Sequence, residues 1–353
     1  MEKLPNRLKA HRLGREWSQA ELAQRAGISR AAVSAIEINR LVPSVAAALS
    51  LAKALECSVE ELFAEGAGPS KEKAWAWPPS QDCCRFWHAT VGKRTLLYPV
   101  EPTAVGILEH DGVSRGGVPY TRGRFTPEKT LVMASCDPAA GLLVAEVSRR
   151  TDVRMIVLPR SSQQALELLA QGLVHVAGLH LATRQAPDAN ALAAQARLGP
   201  GFHLLRVAQW QEVIALSPGS AARTVQAVLR SKFRWIGRES GSGARQCLDE
   251  LLGRRPAPRR VARDHRGVAE AVRCGWADAG VCLQLASEEA GLRFLTVRQE
   301  TYELCFASAS ESDPRIRALK DAVRSSSYRD LLEDLPGYDP AGCGDLRPVG
   351  RYP

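Results

Sequence analysis

Residues Ser240-Gly241-Ser242-Gly243-Ala244-Arg245 run straight into a helical pattern over 244–252. Glycines permit the turn that points successive N–H groups at one spot. The helix that follows adds its positive end. The hydroxyls of Ser240 and Ser242 supply donors and Arg245 supplies charge, so the turn suits a small oxyanion, phosphate or carboxylate. Gly-Ser turns before helices are common, and this one gains weight from three similar strand-to-helix junctions. They are Ser135-Cys136-Asp137, Ser161-Ser162 and Gly178-Leu179-His180. In an open α/β sheet, ligands bind where strands end and helices begin. Cys136 stands at the head of a helix with His175 and His180 in the same lobe, a candidate nucleophile. No triad order or nucleophile elbow surrounds it, and no enzyme is expected. His180 taken alone reads equally as a structural histidine or a ligand contact.

A second constellation lies at the other end of the chain. Ser18 with Glu21 three residues on forms a capping box, Gly27 closes the helix it opens, and Ser29 caps the next. Val33 and Ile36 face inward. Ser29, Arg30, Ala31, Ala32 and Ser34 leave a face of short and polar side chains, as a helix entering a major groove requires. Gln19 is placed to meet phosphate, and Asn39 and Arg40 to hold the opposite backbone. Charge is distributed to match. Of a net +9, residues 1–55 carry nine Lys/Arg against four Asp/Glu, whereas 56–65 carry four Glu and no base. The cluster Arg254, Arg255, Arg259, Arg260 and Arg263 sits in a Pro-containing stretch and reads as a solvated loop.

These sites need elements to hold them, and 353 residues are enough for two or three domains. Five short helical patterns fill 1–65, and 66–73 (GAGPSKEK) is a polar linker. Residues 74–129 form a small β-rich module with strand-like runs at 95–100 and 104–109, a turn at Asp111-Gly112, and three Trp expected in its core. From 130 to 353 strands alternate with helices. Strands are expected at 131–134, 154–158, 174–178, 233–237, 278–282 and 300–306, and helices at 139–149, 162–171, 244–252, 267–274 and from Asp313-Pro314 to about Ser325. That alternation predicts a mainly parallel sheet with helices on both faces, and some 220 residues suffice for two lobes. No apolar run is long enough to span a bilayer and no apolar signal core opens the chain, so a cytoplasmic protein without a membrane partner is expected. The nine Cys include no C-x-x-C. Cys83-Cys84 with His88 lacks a second pair at zinc spacing, and neither metal nor cofactor is expected.

The core SQxELAxRAGISxxxVSxIE, with the later SVEELF, resembles the lambda repressor/Cro-type (xenobiotic-response-element) helix-turn-helix over about residues 4–64. Residues 130–345 resemble the cytoplasmic relatives of type II periplasmic solute-binding proteins. More narrowly they resemble the PBP-like domain fused to helix-turn-helix heads and to molybdopterin-biosynthesis proteins. The pieces carrying this are LLAQGLVHVAGLHL, RESGSGARQCLDELL, VAEAVRCGWADAGVCLQ, Tyr302-Glu303-Leu304 and LPGYDPAGCG. The resemblance implies a multidomain fold: an all-α head, a small β-rich connector and a two-lobed α/β domain. It implies a molybdate- or tungstate-like oxyanion, with Ser135 and Ser161 or Ser162 donating from one lobe and Ser242, Gly243 and Ala244 from the other. It also puts Asp278 beside the cleft and Tyr302 on a hinge-proximal strand. Arg245 and His180 depart from a hydroxyl-and-amide cage and leave room for a carboxylate or organophosphate. The expected function is a one-component regulator that binds double-stranded operator DNA as a homodimer, joined through the ligand domain or the β-rich module, and senses a small anionic ligand. The alternatives are a PBP-like domain serving only dimerisation, or a Cys-dependent enzyme.

Overall fold

The computed structural model describes residues 6–63, 74–103, 106, 108–121 and 125–350; the predicted linker 66–73 lies outside the described residues. The chain divides into two compact units, 1–88 with 93–100 and 109–124, and 89–92 with 101–108 and 125–353.

In the first unit, helices α1 (Leu8–Gly14), α2 (Gln19–Ala26), α3 (Arg30–Glu37), α4 (Val45–Ala54) and α5 (Val59–Phe63) enclose Leu8, Leu22, Val33, Ile36, Leu51 and Leu62. The caps form as the sequence predicts. Ser18 Oγ accepts from Glu21 N at 3.1 Å while Glu21 Oε2 accepts from Ser18 N at 2.8 Å. Ser29 and Ser44 accept from Ala32 N and Ala47 N at 3.1 and 3.2 Å. Each such cap is worth about 1 kcal/mol. Strands β1 (Ala74–Trp75), β2 (Cys84–Val91), β3 (Arg94–Pro99), β4 (Gly112–Arg115) and β5 (Val118–Thr121) form a sheet in the order β1-β3-β2-β4-β5. Its aromatic core includes buried Trp87, with Trp75 edge-on to Phe86 and Trp77 edge-on to Tyr98. The predicted Asp111-Gly112 turn is corrected. Asp111 is buried and its Oδ2 accepts from His88 N at 2.7 Å, so it anchors the sheet. The chain reverses instead at Gly116-Gly117, both with positive φ (57° and 79°), the requirement of a two-residue hairpin loop.

The second unit is built on a ten-stranded sheet, β11-β10-β12-β9-β13-β8-β6-β7, with β14 and β15 added to β9. One lobe holds β6 (Thr130–Ala134), β7 (Arg154–Leu158) and β8 (Val176–Thr183) with α6 (Ala140–Arg150), α7 (Ser162–Ala170) and α8 (Ala189–Leu198). The other holds α9 (Val225–Arg230), β10 (Trp235–Arg238), α10 (Gly243–Leu252), β11 (Val261–Ala262), α11 (His265–Arg273), β12 (Ala279–Leu283) and α12 (Gln284–Glu289). Helices α13 (Pro314–Val323) and α14 (Ser326–Glu333), with strands β14 (Tyr338–Asp339) and β15 (Leu346–Pro348), return to the first lobe. Within each lobe β6/β7/β8 and β10/β11/β12 pair in parallel, as the alternation predicts.

The strands joining the lobes are a correction to that picture. β9 (Phe202–Leu216) and β13 (Arg293–Ala307) run fifteen residues each and pair antiparallel over their whole length. The sequence reading missed β9 altogether because its second half is buried on both faces and shows no alternation. Val213 and Ala215 join one core of the second lobe, Ile214 and Leu216 the other. The helix expected from Asp313 to about Ser325 is α13, which Asp313 caps; Ser325 Oγ then caps a further helix, α14, through Tyr328 N at 3.2 Å. Among the described residues no helix is long and apolar enough to cross a membrane.

Candidate ligand cleft and DNA-facing helix

A cavity of about 580 Å³ opens at the carboxyl ends of the parallel strands of both lobes. From the first lobe it is lined by Ser135, Cys136, Asp137 and Pro138 after β6, and by Pro159 and Arg160 after β7. From the second come Glu239 after β10 and Arg263, Asp264, His265 and Arg266 after β11; Glu101, Pro102 and Thr103 complete the wall. Much of its charge is already paired. Arg160 binds Glu101 at 2.8 Å, Arg266 binds Glu289 at 3.2 Å, and Asp264 Oδ1 caps α11 through Gly267 N at 2.6 Å. Arg263 is exposed and makes no hydrogen bond or ion pair to any of the described residues. Just behind the wall, buried Arg238 grips Glu239 through Nε and Nη2 but leaves Nη1 without a partner among the described residues.

Cys136 and His265 lead from this cavity into a buried polar cluster. Cys136 Sγ lies 3.0 Å from His180 Nε2, and His180 Nδ1 lies 2.8 Å from Glu300 Oε2 on β13. Glu300 Oε2 also accepts from Trp210 Nε1 at 3.1 Å, and its Oε1 accepts from Arg298 Nε and Nη2 at 3.0 and 2.7 Å. Burial opposes charge on His180, but Cys136 and Glu300 on its two nitrogens hold its pKa well above the ordinary imidazole value. His265 is the opposite case. It is fully buried with neither ring nitrogen hydrogen-bonded to any of the described residues, and burial, reinforced by Arg238 and His180, holds its pKa well below that value. The ligand atoms of Cys136, His180 and His265 all lie within 4.8 Å of one another. Cys83 and Cys84 do not belong to this group, and His88 Nε2 faces Asp111 at 3.7 Å.

Of the residues expected to meet the ligand, Ser135 alone lines the cavity. Its Oγ pairs with Tyr302 Oη at 2.7 Å, and Tyr302 stacks on Trp210. Ser161 forms a capping box with Gln164, and Ser162 Oγ accepts from His180 N at 3.2 Å. Ser242 Oγ accepts from Arg245 N at 3.2 Å and donates to Glu239 O at 3.0 Å; Ser240 is exposed. The turn itself faces the first lobe. Gly241 O accepts from Gln163 N at 3.4 Å, and Gly243 packs so tightly on His180 that a Cβ there would stand 2.6 Å from Nδ1. Ala244 belongs to the second lobe's core, and Arg245 pairs with Asp249 at 2.8 Å. Asp278 is not beside the cleft. It precedes β12, bound to Arg234 before β10, whereas the cavity begins at Glu239 past the other end of β10. His175 spends both nitrogens, Nδ1 accepting from Val132 N at 3.0 Å and Nε2 donating to Thr90 O at 2.8 Å. His265, Arg263, Arg238, Arg298 and Glu300 were not singled out as site residues. Asp264 before a helical run was a usable cap signal for His265.

In the head, Arg30, Asn39 and Arg40 are exposed, Ser29 is exposed at the helix start, and Ala32 and Ser34 are half-buried on α3. Asn39 takes a left-handed conformation (φ 57°) just past the helix. Gln19 is not free for phosphate through its amide, since Nε2 donates to Glu37 Oε2 at 2.8 Å. Glu37 is held by Arg12 through two bonds at 2.6 and 3.1 Å, a buried pair that locks α3 against α1.

Residues 8–62 match the family described as Helix-turn-helix, and 144–324 match the PBP superfamily domain. The uncharacterized protein YvgK of Bacillus subtilis is 30% identical over 191 residues, which are 51% of this chain and 61% of that protein. The chain thus spans less than two thirds of that relative's length. Among solved structures, a tungstate ABC transporter protein from Geobacter sulfurreducens aligns with TM-score 0.45 at 17% identity, over 59% of this chain and 99% of that one. A putative phosphate ABC transporter substrate-binding protein from Clostridium perfringens, with bound phosphate, aligns with TM-score 0.46 at 10% identity, over 58% and 96%. With more than half of its length matched, the chain belongs to the PBP superfamily domain family, and it carries a helix-turn-helix unit ahead of that domain.

Proposed function

We propose that this chain is a one-component transcriptional regulator that reads operator DNA through α3 and senses a small organic anion in the cleft. The observation that carries the reading is the cavity at the strand ends of both lobes, in a chain that also holds a helix-turn-helix head. At about 580 Å³ it falls in the range of sites for small organic molecules and exceeds what a bare tetrahedral oxyanion fills. The uncommitted Arg263 at its wall and the unpartnered Arg238 Nη1 behind it favour an anionic group, a carboxylate or phosphate ester. Because both lobes line the cavity, a ligand can bind the two lobe arrangements unequally and shift their populations.

One head covers a half-site, and a two-fold operator places paired heads about 34 Å apart. Exposed Ile38, Leu41 and Val42, with Val45 and Leu49 one turn apart on α4, supply apolar surface for a homodimer. This surface favours a dimer contact on the head over one through the ligand domain or the β-rich module.

The test is calorimetric titration of the full chain with molybdate, tungstate, phosphate esters and short carboxylates, paired with DNA binding by fluorescence anisotropy with and without each. An anion that binds the wild type, binds Arg263→Ala more than tenfold more weakly and changes DNA affinity is the expected result. Binding of every anion at equal strength to wild type and Arg263→Ala would refute it. Light scattering that finds a monomer both free and on DNA would refute the dimer.

A further inference from the structure

We infer that Cys136, His180 and His265 form a binding site for a thiophilic divalent metal ion, Zn²⁺ by donor set, whose fourth position faces the cleft. Three observations converge. The donors are one thiol sulfur and two imidazoles with ligand atoms all within 4.8 Å of one another. Zinc bonds of about 2.0–2.3 Å in a tetrahedron put ligand atoms about 3.3–3.6 Å apart, so shifts of about 1 Å in side chains close the set. Next, His180 already has the outer partner that metal-binding histidines use. Glu300 Oε2 receives Nδ1–H at 2.8 Å, so a metal that displaces the Nε2 proton meets a lone pair aimed toward Cys136. Finally, His265 is fully buried and neither ring nitrogen has a hydrogen-bond partner among the described residues. Leaving a buried polar group unsatisfied costs about 1–3 kcal/mol, and a metal bond removes that cost.

The same side chains invite a rival reading. Cys136, His180 and Glu300 are spaced as a nucleophile, its base and an orienting carboxylate. That reading leaves His265 idle and unpaired inside the fold, whereas the metal uses all three. The nearest charges suit a cation: Cys136 supplies a thiolate, Glu300 supplies a carboxylate that it shares with Arg298 at 2.7 Å, and Arg238 is neutralised by Glu239 at 2.8 Å. Cys136 and His265 line the cavity, so the position the protein leaves open is reached from the cleft. Sites with three protein ligands and an open position are those at which an exogenous donor binds. For that last point the inference rests on the ligand-sensing reading; the metal site itself does not.

The experiment uses the full reduced chain. Zn²⁺ is titrated in competition with a chromophoric chelator, and Co²⁺ is added as an optical probe. One equivalent is expected to bind, with a near-ultraviolet thiolate-to-cobalt band and intense tetrahedral visible bands. X-ray absorption on the zinc form should show one sulfur at about 2.3 Å and lighter ligands at about 2.0 Å. Cys136→Ser should abolish the thiolate band, and His265→Ala should weaken binding at least a hundredfold. His265→Ala breaks no hydrogen bond of the fold, so it remains informative if Cys136→Ser does not fold. The double variant Cys83→Ser/Cys84→Ser should bind as wild type. No stoichiometric binding, a shell without sulfur, or unchanged affinity in His265→Ala would overturn the site. Anion binding by calorimetry in chelator-treated protein separates failure of the metal site from failure of the sensing reading.

Discussion

Two helix starts in this chain share a design and meet different fates. Ser29 caps α3 and Ser242 caps α10, each through a hydroxyl that accepts the backbone N–H three residues on, at 3.1 and 3.2 Å. Around Ser29 the surface is open, with Arg30 and Arg40 exposed. Around Ser242 the neighbouring lobe closes in, with Gln163 on Gly241 and the His180 ring on Gly243. A capped, positively polarised helix start is therefore not a recognition site by virtue of its sequence. What stands opposite decides whether its donors face a ligand or join the fold.

The largest test of that contrast is Gly243→Val. The new side chain would strike His180, so we expect a loss of about 3 kcal/mol in denaturant-induced unfolding, the scale of overpacking a tight contact. Wild-type stability in this variant would mean the turn is free after all. Next is the open end. Arg30→Ala should cost about 1–3 kcal/mol of operator affinity and relax specificity, while Arg40→Ala should weaken all sequences alike and lower the salt slope by about 1. Both should keep the wild-type Tm, and anisotropy at fixed salt reads the rest. A smaller effect compares the caps directly. Ser29→Ala and Ser242→Ala should each lose about 1 kcal/mol of stability, and Ser242→Ala should leave anion affinity unchanged.

A separate, pH-dependent effect concerns a polar group wholly committed to the fold. Burial, with Arg315 nearby, lowers the His175 pKa from 6.5 to about 4. A depressed folded pKa means the unfolded chain binds the proton first. The stabilisation is thus complete above pH 6.5 and is lost as pH falls toward about 4. In His175→Asn, the denaturation midpoint should fall less steeply across that window than in the wild type.

What the sequence made legible was local. Ser18 with Glu21, Ser29 and Ser44 act within three residues of themselves, so the head's helices fell where the caps put them. The parallel strands β6, β7, β8, β10 and β12 were equally plain, being short apolar runs bounded by turns, whereas the two-residue β11 was hidden in the arginine-rich stretch read as a loop. The hinge was not. β9 mixes Arg206, Gln209, Gln211 and Glu212 with apolar residues, and buried Glu212 meets its cation, Arg298 of β13, at 3.0 Å. No local pattern announces a partner so far along the chain. The same applies to the site. Asp278 looked cleft-side because it abuts a strand, but it abuts the wrong end. His265 and Cys136 come from different lobes and meet only in the folded domain.

The two hinge strands also set the order in which this protein can be built. β9 is made long before β13, yet β13 is the strand that pairs both β8 and β9. Until residues 293–307 have been synthesised, the first lobe's sheet ends at an unpaired edge of β8, and its core lacks Leu304, Phe306 and the α13 and α14 faces. At about 5–20 residues per second, the interval from β9 to β13 lasts several seconds on the ribosome. During that time the second lobe, whose own strands are complete apart from β13, is the part able to collapse first. The first lobe begins earlier and finishes later, and its exposed strand edges are where chaperone binding or mispairing between nascent chains would concentrate.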